Sequence, residues 1–97
     1  MIETGIPGSV IEEIQSIAQQ NNLDKVILFG SRAKGTYRRA SDIDLAISGG
    51  NVTMFALDVD EETSTPLKYD VVDLNQKLQA AFRQSIEKEG IILYEKT

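Results

Sequence analysis

Apolar positions along this chain recur at two different spacings. Val10, Ile14, Ile17 and Ala18 fall at helical intervals and predict a helix over 9–22. Ser9 followed by Glu12 fits a capping box after the Pro7-Gly8 lead-in, and Asn21-Asn22 ends the pattern. Lys25-Val26-Ile27-Leu28-Phe29 is then a continuous apolar run between turn signals, as expected of a buried strand. A short helical turn through Arg32-Ala33-Lys34 precedes Gly35, and a second strand over 43–48 stops at Gly49-Gly50. Helical spacing returns in Val52, Phe55, Ala56 and Val59, with Asp58, Asp60, Glu61 and Glu62 on the wet side. Thr63 to Pro66 reads as a loop, and 68–74, rich in Val and Tyr, as a third strand. Asn75 is placed to cap a last helix with Leu78, Ala81, Phe82 and Ile86 on its apolar face, ended by Gly90. Ile91 to Tyr94 makes a short closing strand at the sheet edge. The fold class is therefore α/β or α+β: a small mixed sheet covered by helices, in the order α-β-(α)-β-α-β-α-β.

Ninety-seven residues are expected to form one domain, spanning 1–97, with no room for a separate lid. The absence of cysteine excludes disulfides and thiolate metal sites, and the absence of histidine excludes His-dependent triads and most zinc sites. Any metal must sit among oxygen ligands, which favours Mg²⁺, Mn²⁺ or Ca²⁺. No signal-peptide core or membrane-length apolar run is present, so the expected location is cytoplasmic, with no membrane partner. A net charge of −5 argues against direct nucleic-acid binding, which depends on neutralised phosphates. Against that background Arg32, Lys34, Arg38 and Arg39, four of the ten basic residues, cluster between a glycine turn and an aspartate pair. That position suggests a surface facing a polyphosphate.

The two Asp-x-Asp pairs have opposite meanings. Asp58 and Asp60 lie in a helical pattern, where a spacing of two diverges by about 200°. Asp42 and Asp44 open a strand, where the same spacing puts both on one face, Cα atoms roughly 6.5 Å apart. Such a pair can hold one divalent ion or bridge two. Asp70 is the candidate third carboxylate, because a charge amid apolar strand residues is expensive unless it is paired or ligates a cation. Asp73 has the opposite parity on that strand. The Gly30-Ser31 turn offers backbone N–H groups and a hydroxyl to phosphate oxygens, with Arg32 and Lys34 as further phosphate contacts. Gly30 and Gly35 share the spacing of a P-loop, but Thr36 stands where that loop requires Lys.

Gly30-Ser31, Ala33, Gly35, Ser41-Asp42 and Asp44-Leu45 resemble the Gly-Ser-x-Ala-x-Gly…Ser-Asp-x-Asp-Leu signature of the polymerase-β-like nucleotidyltransferases. The similarity is greatest to their minimal nucleotidyltransferase (MNT) branch and covers almost the whole chain. It implies two metal ions, Mg²⁺ or alternatively Mn²⁺, on Asp42 and Asp44, with Asp70 assisting the attacking hydroxyl. It further implies outer phosphates held by Gly30 and Ser31, and ATP as donor. The implied partner is a helical HEPN-domain toxin, onto a tyrosine of which AMP is transferred. No departure from the core motif indicates a lost activity. Two alternatives stay open at this point: a non-catalytic antitoxin acting by occlusion, and transfer to a small molecule such as an aminoglycoside. The nucleotide base, the acceptor and homo-oligomerisation are not fixed by the residues.

Overall fold

The alternating apolar runs fold, in the computed structural model, which describes residues 3–97, into a four-stranded sheet with helices on both faces. In chain order the elements are α1 (Gly8–Gln20), β1 (Lys25–Phe29), α2 (Ser31–Lys34), β2 (Ile43–Ser48), α3 (Val52–Glu62), β3 (Tyr69–Asp73), α4 (Ala80–Glu89) and β4 (Ile91–Glu95). The sheet order is β3-β2-β1-β4. β1 runs antiparallel to β2 and to β4, while β2 and β3 are parallel and joined through α3. The fold class and element order are those expected from the sequence. No helix of the described residues is long and apolar enough to cross a membrane.

Strand alternation divides the sheet into two unequal faces. Val26, Leu28, Ile43, Leu45 and Ile47 face α1 and α3 and join Val10, Ile14, Ile17, Phe55 and Val59 in the main core. The opposite parity carries Ile27 and Ala46, which with Ile86 of α4 form a second, small cluster flanked by Phe29 and Leu74. Asp44 has the parity of Ala46 on β2. The candidate chemistry therefore lies on the thinly covered face, beside α4.

Three local expectations need correction. Ser9 does not cap α1: the helix starts one residue earlier, Pro7 is its N-cap, and the Pro7 carbonyl accepts from the Val10 and Ile11 N–H groups. A rigid proline immediately before the first turn fixes the entry angle without a side-chain cap. Asn75 does not cap the last helix, which begins at Ala80 after Gln79. Instead the Asn75 N–H donates to Asp73 Oδ1 (2.8 Å) and its Oδ1 accepts from the Gly49 N–H (3.3 Å), a local turn competing with helix. The apolar face assigned to that helix is mostly uncovered. Ile86 alone is fully buried, whereas Ala81 and Phe82 are exposed and Leu78 half-buried.

Candidate active site

β1 ends at Phe29, and Gly30 follows at φ 74° and ψ −156°. That conformation is essentially reserved for glycine. Space imposes the same choice, because a Cβ on Gly30 would overlap the Asp44 carboxylate. Ser31, half-buried, opens the single turn of α2, and Gly35 closes it in the left-handed region at φ 79°. The sequence pattern of two glycines around a short basic turn thus becomes a backbone bend lying directly against Asp44.

The parallel register of β2 and β3 pairs Asp44 with Asp70. Neighbouring strands stand about 4.8 Å apart, so the two carboxylates project side by side. Asp42 lies two residues upstream of Asp44, just before β2, and is exposed. Asp44 is the most enclosed of the three, and its carboxyl is held above the ordinary range, first by burial, then by Asp70 and then by Asp42. Arg32 pulls in the other direction. Among the described residues no three acidic groups already stand in a closed metal-sharing cluster. The donor set nonetheless suits a hard divalent ion: carboxylate oxygens only, mutually repelling, over a glycine that keeps the approach to Asp44 clear.

Arg32, expected among the phosphate contacts, has a different setting. It is 1% exposed, and its donors are committed to backbone carbonyls. Nε and Nη2 donate to Ser41 O at 3.0 and 2.9 Å, Nη2 also to Arg39 O at 3.2 Å, and Nη1 to Thr4 O at 2.9 Å. The Tyr37 ring stacks 4.8 Å from the guanidinium carbon. Five donors in a rigid fork suit three carbonyls better than an ammonium could. Arg32 is therefore a brace that ties the loop ending in Asp42 to the N-terminal segment, not an open phosphate ligand. A one-turn helix is too short for periodicity to reveal which side is buried, so the sequence carried no signal for this. Lys34 is exposed and pairs with Glu89 of α4 at 3.5 Å. Asp58 and Asp60 lie apart from this site on α3, where Asp60 is exposed and Asp58 accepts from Asn21 Nδ2 at 3.1 Å.

The structure thus sets a glycine bend against an aspartate row at the start of adjacent strands, on the thinly covered face of a small mixed sheet. The family "Polymerase beta, Nucleotidyltransferase" matches residues 12–97. A relative in Methanocaldococcus jannaschii, provisionally named protein adenylyltransferase MJ0604, is 36% identical over 84 residues, covering 77% of this chain and 82% of that protein. The chain belongs to the polymerase-β nucleotidyltransferase family; it is a nucleotidyltransferase, and its donor substrate is a nucleotide. Among solved structures, a chain from a toxin–antitoxin complex with AMP-PNP superposes with a TM-score of 0.71 at 24% identity, over 90% of this chain and 74% of that one. A chain from the complex of a tri-AMPylated Shewanella oneidensis HEPN toxin with MNT antitoxin gives 0.62 at 19%, over 90% and 71%. These two likenesses concern the fold.

Proposed function

We propose that this protein is an MNT-type antitoxin that transfers AMP from ATP to a tyrosine hydroxyl of a HEPN-domain partner, with Mg²⁺ as the required ion. The observation that carries the reading is the register of Asp44 with Asp70 beside the Gly30 bend. The name of the M. jannaschii relative and the AMPylated toxin in the Shewanella complex support the protein acceptor.

Asp42 and Asp44 would hold Mg²⁺, with Mn²⁺ as the alternative, and Asp70 completes the donor set. Bound there, the ion supplies charge neutralisation for the triphosphate and polarises the α-phosphate. The chain's own residues do the rest. Gly30 and Ser31 hold the outer phosphates, and the missing side chain at Gly30 lets the nucleotide approach Asp44. Lys34, at the mouth of the same bend, adds positive charge to the outer phosphates. Arg32 keeps Asp42 in position by fixing the Ser41 carbonyl next to it. Asp70, exposed on the edge strand β3, is open to an incoming hydroxyl and accepts its proton. The hydroxyl oxygen bonds to the α-phosphorus, the bond to the β-phosphate oxygen breaks, and pyrophosphate leaves.

The test is co-purification with a HEPN-domain partner, followed by incubation with α-labelled ATP and Mg²⁺. Label and AMP mass increments on the partner, absent with D42N or D44N, are the expected result. A partner that is inhibited yet unmodified would overturn the enzymatic reading in favour of occlusion.

A further inference from the structure

We propose that Phe82 of α4, set edge-on against Phe29, is the surface on which the purine base of the donor nucleotide stacks. The proposal rests on the nucleotidyltransferase reading of the aspartate face and extends it to a part of the substrate that no carboxylate touches.

The aspartate face is chemically lopsided. On one side of Asp44 stands Asp70 on β3, acidic and exposed. On the other stands Phe29, the cross-strand partner of Asp44 on β1. The Phe29 and Phe82 rings meet with centroids 5.8 Å apart at 77°. Phosphates held between the Gly30 bend and the aspartates leave the base to settle one ribose further on. The apolar direction from Asp44 runs through Phe29 to Phe82, whereas the β3 side suits a polar acceptor hydroxyl.

Phe82 is 38% exposed, although burying a phenylalanine is among the largest gains a small core can make. Nothing in α4 compensates for that exposure. Ile86 alone in this helix is fully buried, and it rests with Ile27 and Ala46 in the cluster that underlies Phe29. The ring is nevertheless held in place. Arg83, the next residue, donates to the carbonyls of Leu74 (2.9 Å) and Gln76 (3.1 Å), and Glu89 at the helix end pairs with Lys34 of the phosphate bend. An aromatic ring that is part-exposed, set against Phe29 and on the same side of the sheet as Asp44 has the attributes of a base platform.

The experiment compares ATP with inorganic tripolyphosphate, which carries the charges but no base. Steady-state transfer by the full chain with its partner gives KM and kcat for ATP, and tripolyphosphate gives a Ki as a competitive inhibitor. For F82A the expected result is a KM for ATP raised roughly 5- to 150-fold, the loss of one base–aromatic stack, with Ki for tripolyphosphate unchanged. F82Y restores the wild-type KM. F82L preserves apolar bulk against Phe29 and still raises KM, which guards against a folding defect in the alanine variant. An unchanged KM in F82L and F82A overturns the proposal. So does a fall in kcat at constant KM, which would give Phe82 to the acceptor, or a parallel weakening of tripolyphosphate. A wild-type protein that binds neither ATP nor tripolyphosphate with Mg²⁺ would instead sink the underlying nucleotidyltransferase reading, and the proposal with it.

Discussion

Replacing Arg32 by methionine removes the guanidinium while keeping much of its bulk. Three carbonyl oxygens, on Thr4, Arg39 and Ser41, then lose their donors in a site that is 1% exposed. A buried acceptor left unpaired costs about 1–3 kcal/mol, and hydrogen bonds from a charged donor are worth about 1.5–3 kcal/mol each. Because Ser41 O receives two of the four bonds, the contributions overlap, and a loss of roughly 3–5 kcal/mol is the reasonable total. Domains of this size have a total stability of about 5–15 kcal/mol, so the variant sits near its unfolding threshold. At about 4–8 °C per kcal/mol, Tm should fall by at least roughly 12 °C. Thermal and urea unfolding followed by circular dichroism measure this directly. R32K should lie between the two, since one ammonium cannot span three carbonyls. A Tm for R32M within about 3 °C of wild type would refute the bracing role and return Arg32 to the list of phosphate contacts.

The remaining predictions are smaller in scope. Asp44→Asn should raise the Tm of the metal-free protein at neutral pH while abolishing transfer. The raised carboxyl of Asp44 means that its ionisation opposes folding: the penalty is absent below the unfolded-state pKa and grows as pH rises through the folded one. The Tm advantage of D44N should therefore vanish on acidification, and added Mg²⁺ should stabilise wild type but not D44N in the same melting assay. Gly30→Ala should cost about 1–3 kcal/mol from its backbone conformation alone, and its displacement of Asp44 should remove label transfer even where the variant remains folded by circular dichroism. Lys34→Ala and Glu89→Ala should each change stability by less than about 1 kcal/mol, because the pair is exposed. Only the lysine variant should raise the KM for ATP; equal effects would mean that the ion pair itself is what matters.

Much of the fold was legible because its strands are short apolar runs flanked by glycine or charge, and because α1 has a clean helical stripe. The separation of Asp42 and Asp44 from Asp58 and Asp60 was legible for the same reason, since period alone distinguishes a strand pair from a helix pair. The start of α4 was not. Asn75 is a good cap by residue type, but the side chains of Asp73 and Asn75 bond locally and hold the chain in a turn until Ala80. The bracing by Arg32 was not legible because its partners are backbone carbonyls, which carry no residue signature. Phe82 was assigned to a core that does not reach it; a helical stripe predicts one apolar side but not whether anything lies against it.

The pairing of β2 with β3 has a kinetic corollary. Asp44 and Asp70 are far apart in sequence and meet only when the chain has crossed through α3 and closed a parallel register. Non-local pairing of this kind comes late in folding and is slow relative to helix formation. A chain that has formed its helices and the antiparallel β1–β2 pairing has not yet brought Asp44 beside Asp70. The aspartate pair is thus a property of the assembled sheet, set by the register between two strands and carried by neither alone.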